Sequence, residues 1–169
     1  MVTVTVDDLA FVAADAIARP VNAELRAMTP VMRRLEQAGG DAFLAQLRVN
    51  VPLDVGAAVV TGGGALASPL VIHAVVLSEV EPVSRGGVRR ATLSALQRAR
   101  DFDISHLAMA PFGLGAGNLD VDDAARTMSD VIREHTRRGG APSSITLITE
   151  SEYEADAFRA AFSGFGAAA

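Results

Sequence analysis

The alternation and clustering of apolar positions along the chain predict the strands of a sheet. Residues 2–6 alternate apolar and polar side chains, as expected of a strand with one face towards a core. Other segments are short, mostly apolar runs, which are typical of strands buried on both faces. They cover residues 15–21, 57–61, 70–77, 106–110 and 145–149. Helices are therefore expected on both sides of the sheet.

Capping residues and helical periodicity place the helices between these strands. Thr29 and Pro30 have the form of an N-cap followed by proline in the first turn, and Gly39-Gly40 is expected to end that helix. Further helices are expected over residues 41–47, 88–100, 120–132 and 151–162. Asp120 is the expected N-cap of the third of these, and Ser151 with Glu154 forms a capping box at the start of the last. Without a repeat or a linker, this order predicts a single α/β domain over residues 1–163 and a flexible tail over residues 164–169.

Composition first narrows the class of protein. Half of the 169 residues are hydrophobic, which excludes a disordered chain. No apolar run reaches the roughly 18 residues that a membrane helix needs. Residues 1–6 are neither basic nor long enough for a signal peptide, so we expect a soluble, cytoplasmic protein.

Composition also excludes several kinds of chemistry. All fifteen basic residues are arginine, so a lysine nucleophile or a P-loop lysine is impossible. Cysteine is absent and the three histidines are scattered, so we expect no thiol chemistry, no metal site and no cofactor. The net charge of −5 gives no support to general nucleic-acid binding.

A glycine-rich loop is the main candidate for a binding site. Gly113, Gly115 and Gly117 lie between a predicted buried strand and a predicted capped helix. Backbone N–H groups and the positive end of a helix converge on an anion at such a place, so a phosphate group is the expected ligand. The alternative is a tight turn that binds nothing, because glycine patterns of this kind are common by chance.

Two other features are interpreted as structural. Gly62, Gly63 and Gly64 follow a strand, but no helix signal comes after them, so they are expected to form a hairpin-like turn. His73 lies within an apolar strand and is interpreted as a core histidine. No Gly-x-Ser-x-Gly segment presents a serine for nucleophilic attack.

Several short motifs occur in an order that points to one family. The chain opens with Asp8-Leu9 and continues with D-A-I at residues 15–17, Asn22 and Leu25. Later motifs are V-G-A-A-V-V-T-G-G-G-A-L at residues 55–66, V-I-H at residues 71–73, and the segment with the glycine loop at residues 107–119. Over residues 1–162 these motifs resemble, in the same order, those of the macro domain family.

The resemblance implies a fold and a ligand. The fold is α/β, a three-layer α/β/α sandwich with a central mixed sheet, and the ligand is ADP-ribose (ADPR) or a related nucleotide diphosphate. Asp8 corresponds to the aspartate that contacts adenine in the family, and Asn22 to an asparagine near the distal ribose. The remaining implied contacts are Leu9, beside Asp8, and the phosphate loop of Gly113, Leu114, Gly115, Ala116, Gly117 and Asn118.

One of the two loops that bind the ligand in the family has a different sequence in this chain. Where the family carries a run of glycines, residues 27–32 read A-M-T-P-V-M, and Pro30 lacks an N–H that could reach a phosphate. Met32 stands at the position of a frequent aspartate, and Arg19 at that of the first asparagine in the family motif. The aromatic residue that often follows the last strand is replaced by T-E-S at residues 149–151.

Three functions are compatible with this pattern. The leading interpretation is a module that binds ADPR or a related nucleotide diphosphate weakly, because one of its two loops is changed. The second is a hydrolase of ADP-ribosyl derivatives or O-acetyl-ADP-ribose, which we do not expect to be efficient without the glycine run or a lysine. The third is a degenerate domain that serves in assembly without a ligand. The sequence indicates no membrane partner and names no protein partner.

Overall fold

The computed structural model describes residues 1–48, 51–115 and 119–163. Its strands are β1 (Val2–Val6), β2 (Ala16–Asn22), β3 (Ala58–Gly62), β4 (Leu70–Leu77), β5 (His106–Met109) and β6 (Ser144–Thr149). Its helices are α1 (Pro30–Gln46), α2 (Arg85–Asp101), α3 (Val121–Arg138) and α4 (Glu152–Phe162). Every predicted strand is present, and its ends agree with the prediction to within one residue. No helix in the described part of the chain is both long enough and apolar enough to cross a membrane.

The strands form one mixed sheet in the order β1-β6-β5-β2-β4-β3. All neighbours run parallel except β3 and β4, which pair antiparallel. The connection between β3 and β4 is the hairpin that Gly62, Gly63 and Gly64 predicted. The parallel strands end at one edge of the sheet, and this carboxyl edge is where α/β folds usually bind ligands.

Helices cover both faces of the sheet, and each face has its own hydrophobic core. Helices α2, α3 and α4 pack on one face, where Val88, Met128 and Phe158 are fully buried. Helix α1 packs on the other face, together with a short 3₁₀ turn, Leu9–Phe11, that the sequence did not predict. The predicted three-layer α/β/α sandwich is therefore confirmed.

Helix α1 begins and breaks where the sequence predicts. Thr29 Oγ1 accepts the N–H of Met32 (3.3 Å). Pro30 occupies the first turn, where a backbone N–H would have no helical partner, so its lack of an N–H costs no hydrogen bond. Gly40 interrupts the helix with a φ of +79° and a ψ of −174°, a conformation that residues with a Cβ rarely adopt. The two helical segments expected around Gly40 are thus joined into one broken element.

The capping box predicted for α4 is only half formed. Ser151 Oγ accepts the N–H of Glu154 (3.3 Å), as predicted. The Glu154 carboxylate, however, accepts the N–H of Glu150 (3.0 Å) rather than that of Ser151. This bond holds the chain at the end of β6, at the carboxyl edge of the sheet.

Candidate functional site

A cleft opens at the carboxyl edge of the sheet, between the ends of β5 and β6 and the first turn of α1. It is lined by Asp7, Leu9, Pro20, Thr29, Pro30, Val31, Met32, Ala110, Pro111, Leu114, Gly115, Ile148, Glu150 and Glu154. Its volume is about 140 Å³. Sites that enclose a drug-sized ligand usually measure about 300–1,000 Å³. The described residues would therefore enclose only part of a nucleotide.

The rewritten segment at the start of α1 forms one wall of this cleft. Thr29, Pro30, Val31 and Met32 all line it, and Met32 has only 4% of its surface exposed. Among the N–H groups of this first turn, that of Met32 is bound by Thr29 and Pro30 has none. The wall is therefore largely apolar and poor in donors for a phosphate.

The glycine loop after β5 faces that wall. Gly113 is buried with a φ of +89°, and a Cβ there would lie 2.8 Å from Val88 Cγ2, so only glycine lets the loop pack this closely on α2. Leu114 and Gly115 line the cleft. A Cβ on Gly115, whose φ is +77°, would lie 2.7 Å from Thr29 Cγ2. The glycine loop and the N-cap of α1 are therefore in contact.

The end of the cleft near β1 and β6 is acidic. Asp7, Glu150 and Glu154 contribute carboxyl groups to it. Partial burial raises the pKa of the Glu150 carboxyl, the neighbouring carboxylates of Glu154 and Asp8 add to that rise, and Arg34 opposes it. No arginine lines the cleft among the described residues. A diphosphate would meet negative charge at this end of the cleft.

Asp8 and Leu9 also lie at the acidic end, where the 3₁₀ turn begins. The Leu9 side chain is buried and lines the cleft. Asp8 is the N-cap of the turn, because its Oδ1 accepts the N–H of Ala10 (3.0 Å). The N–H of Asp8 donates to Asp7 Oδ1 (2.7 Å), and Asp7 rather than Asp8 lines the cleft.

Asn22 stands apart from the cleft, at the end of β2. Its Oδ1 accepts the N–H groups of Glu24 and Arg26, both at 3.0 Å. Short polar side chains commonly close turns in this way. The Asn22 side chain therefore holds the start of the loop that leads to α1.

The structure thus brings together Leu9, Leu114 and Gly115 of the predicted site residues, with Asp8 and Gly113 next to them in the chain. Three predicted residues lie outside the described part of the chain: Ala116, Gly117 and Asn118. Sequence reasoning missed Asp7, Pro20, Ala110, Pro111, Ile148, Glu150 and Glu154. All but Glu154 share one signal, a position near the carboxyl end of a parallel strand, whereas Glu154 lies in the first turn of α4. Within the described ranges, no group of three or more histidine and carboxylate side chains is placed to hold a metal ion.

Arg19 is fully buried on the α1 face of β2, behind the cleft. Its Nε donates to His73 Nδ1 (2.9 Å), Nη1 to Glu36 Oε1 (2.8 Å) and Nη2 to the Leu25 carbonyl oxygen (3.1 Å). The guanidinium also lies over the ring of Phe43, with Cζ 5.4 Å from the centroid. Burial lowers the pKa of Arg19, and the hydrogen bond to Glu36 opposes that shift. The buried charge is therefore paired and hydrogen-bonded, as a stable interior requires.

His73 is the core histidine that the sequence predicted. Because Nδ1 accepts from Arg19, Nε2 carries the proton and donates to Thr61 Oγ1 (2.8 Å), which donates in turn to the Gly62 carbonyl. Burial holds the pKa of His73 well below its usual value, and the charge of Arg19 lowers it further. The ring is therefore neutral at pH 7, with both nitrogens engaged.

Comparison with known sequences identifies relatives of this chain. The family model of the macro domain matches residues 18–128. An uncharacterized protein of Mycobacterium tuberculosis is 31% identical over 147 residues, which are 87% of this chain and 40% of that protein. The chain thus spans about two fifths of the length of that relative.

Solved structures share the fold. A macrodomain of Oceanobacillus iheyensis solved with ADP has a TM-score of 0.86 and 16% identity, and the match covers 98% of this chain and 92% of that one. A mutant of that macrodomain with ADPR has a TM-score of 0.82 and 17% identity, over 94% of this chain and 90% of the other. Identities this low show the fold alone, whereas the family model matches most of the sequence. The chain belongs to the macro domain family.

Proposed function

We propose that the cleft is a weak binding site for ADPR or a related nucleotide diphosphate, and that residues 1–163 act as one binding module. The observation that carries the proposal is the position of the glycine loop: Leu114 and Gly115, just after β5, line an apolar cleft that Leu9 also lines. Backbone N–H groups of such a loop suit a phosphate, and apolar walls suit a base. The O. iheyensis macrodomain, which has the same fold, was solved with ADP and with ADPR, and this supports the ligand class.

Weak affinity follows from the charge and the walls of the cleft. Three carboxyl groups line it, and among the described residues no cation does. The wall that begins at Pro30 supplies few N–H donors. Each charge-assisted hydrogen bond that is lost costs about 1.5–3 kcal/mol, so the loss of a few weakens binding by orders of magnitude.

Hydrolysis of ADP-ribosyl bonds is not part of the proposal. The reaction needs a group that holds water in line with the anomeric carbon. Asn22, which the family resemblance places near the ribose, closes a turn with its side-chain oxygen. The described residues that line the cleft include no serine, histidine or lysine. The possible bases that remain are the carboxylates of Asp7, Glu150 and Glu154, and their presence alone does not favour hydrolysis over binding.

Calorimetric titration with ADPR, ADP and AMP tests the proposal. We expect dissociation constants on the order of tens of micromolar or weaker for ADPR and ADP. Submicromolar affinity would show that the rewritten wall still forms a full cradle. No heat at millimolar nucleotide would refute binding and favour a role in assembly without a ligand.

A pair of variants locates the binding site. Leu114→Glu adds a negative charge inside the cleft and is expected to weaken ADP binding at least about tenfold. Leu93→Glu makes the same change on an exposed position of α2 and is expected to leave binding unaltered. Equal loss in both variants, or in neither, would place the nucleotide elsewhere.

A further inference from the structure

Strand β1 forms one edge of the sheet, and half of its backbone groups point away from its neighbour. Among the described strands β1 pairs only with β6. At the two ends of this pairing Met1 accepts a backbone hydrogen bond (2.9 Å) and Asp7 donates one (3.2 Å), so the odd-numbered residues face β6. Successive residues of a strand direct their N–H and C=O groups to opposite sides. Val2, Val4 and Val6 therefore direct theirs outwards, where no described strand lies.

The edge of β1, all of it within the described residues, carries none of the features that usually prevent pairing with another chain. Natural edge strands are protected by charged side chains, by proline or by a bulge. The β1 segment reads V-T-V-T-V, and its register with β6 is regular from end to end. Val2 and Val4 are only partly buried against the core that α4 covers, and Val6 is 38% exposed. The edge can therefore accept a further strand.

A second copy of β1 fits this edge over its whole length in one register. If a two-fold axis passes beside Val4, the strands run antiparallel, and Val2 lies opposite Val6 of the partner subunit. Thr3 then lies opposite Thr5 of the partner subunit, on the other face. The outward N–H and C=O groups of the valines meet in hydrogen-bonded pairs, and threonine pairs across strands are stabilising. The segment is therefore complementary to itself, as a two-fold contact requires.

Helix α4 adds a second contact to this pairing. It packs on both β1 and β6, so across the two-fold axis the two α4 helices run antiparallel. Because strands lie about 4.8 Å apart, the axes of the two helices would lie about 10 Å apart, which is a distance at which helices pack. The first turn of α4 carries Glu152 and Glu154, and its last turn carries Arg159. Each Arg159 would lie beside the acidic first turn of the partner's α4, so the charges are complementary.

These charges lie on the side of α4 that faces away from α3 and towards the β1 edge. Arg133 of α3 donates to the Ala161 carbonyl oxygen, so α3 covers the Ala161 side of the helix. Arg159 lies about 160° from Ala161 around the helix axis. It binds Glu152 (2.8 Å) and Asp156 (3.4 Å), and all three residues are exposed. Pairing through β1 brings this charged side of α4 against the same side of the partner's α4.

We propose that two copies of this chain associate through β1, antiparallel about Val4, with the two α4 helices packed side by side. The two six-stranded sheets then continue as one. Stable interfaces bury roughly 1,200 Å² or more, and a strand of five residues covers less than that, so strand and helix form the contact together. The inference does not depend on the proposed function.

Sedimentation equilibrium of charge variants on the threonine face tests the proposal. We expect the wild type to have twice the mass of one chain at high concentration and to dissociate on dilution with a micromolar constant. In Thr3→Lys/Thr5→Lys, like charges lie opposite one another across the contact, so this variant is expected to be monomeric, and so is Thr3→Glu/Thr5→Glu. An equal mixture of the two is expected to form a mixed dimer. Leu93→Lys/Gln97→Lys adds the same charge as the lysine variant on exposed positions of α2 and is expected to remain dimeric.

Disulfide cross-linking tests the register, because the chain has no cysteine of its own. Thr3→Cys and Thr5→Cys proteins are mixed and oxidised. We expect a cross-linked dimer, since residues opposite one another at a non-hydrogen-bonded position have Cα atoms about 4.5 Å apart. Thr3→Cys alone is expected to cross-link at least about tenfold less, because its two copies are offset along the strands. These single substitutions on an exposed face decide the question if the charged variants do not fold.

Three results would overturn the proposal. The first is a wild type that stays monomeric at the highest concentration. The second is a dimer that persists in Thr3→Lys/Thr5→Lys, because the contact would then lie elsewhere. The third is cross-linking of Thr3→Cys alone as fast as in the mixture, which would exclude the register about Val4. None of these measurements involves a nucleotide, so their failure leaves the proposed function intact.

Discussion

The carboxyl group of Glu150 contributes charge directly to the ligand cleft, and burial together with neighbouring carboxylates raises its pKa. Glu150→Gln removes that charge with little change of shape. We expect ADP to bind about three- to tenfold more tightly to this variant, because one repulsion of the diphosphate is lost. Glu134→Gln, on the exposed surface of α3, is the control with the same change of charge. Unchanged affinity in Glu150→Gln would show that the phosphates bind away from the acidic end.

Gly115 couples the glycine loop to the N-cap of α1. We expect Gly115→Ala to lower the free energy of unfolding by about 1–2 kcal/mol from its positive φ alone, and further because the new Cβ meets Thr29 Cγ2. Thr29→Ser removes the methyl group but keeps the capping hydroxyl, so in the double variant it should recover the stability lost to the steric contact with Thr29. Urea unfolding of the single and double variants separates the cost of the positive φ from the cost of that contact. Equal stability of Gly115→Ala with and without Thr29→Ser would mean that the contact carries no energy.

Single residues also show where prediction from sequence stops. The place of Leu114 and Gly115 at the cleft was predictable, because a loop between a buried strand and a capped helix lies at the carboxyl edge. The bonds of Asn22 and Arg19 were not, because they depend on a loop in which Leu25 adopts a positive φ. No periodic pattern signals such a conformation, and the partners of Arg19 come from three separate parts of the chain.

At the scale of elements, prediction succeeds where a pattern repeats. The strands agree to within one residue because runs of apolar side chains mark the buried length of each. The 3₁₀ turn Leu9–Phe11 was missed because three residues are too few to show a period. The capping box predicted for α4 is correct for Ser151 but not for Glu154, because sequence spacing does not determine which N–H the Glu154 carboxylate accepts.

The break in α1 gives a prediction at this scale. Gly40 combines a φ of +79° with open space around its Cα, so Gly40→Ala tests backbone strain without a steric clash. We expect a loss of about 1–3 kcal/mol in the free energy of unfolding, measured with urea. Gly86→Ala, in the first turn of α2 with a helical backbone and no close contact, should instead be neutral or slightly stabilising. A Gly40→Ala variant as stable as the wild type would mean that α1 straightens at no cost.

The stability of the whole molecule should depend on pH through His73. Its pKa is well below the usual value in the folded state, so below about pH 6.5 the unfolded chain takes up a proton that the folded protein does not. We therefore expect the free energy of unfolding to fall as the pH is lowered from 6.5 towards 5, with a contribution from His73 of up to about 1.4 kcal/mol per pH unit. His73→Asn keeps an acceptor for Arg19 but does not titrate. It should be less stable at pH 7 and lose less stability on acidification, whereas parallel pH profiles would exclude His73 as the cause.

The pairing of β1 with β6 joins the two most distant strands of the chain, with Val2 opposite Ile145. Among the described strands β1 neighbours β6 alone, so it cannot pair within the sheet until β6 has been synthesised. Of the six strands, β1 therefore leaves the ribosome before the other five and waits longest for its partner, with its backbone donors and acceptors not yet paired to another strand. Such long-range pairing slows folding. The earliest of these six strands to be translated is thus among the last to pair, and during that interval it presents an open edge to other nascent chains.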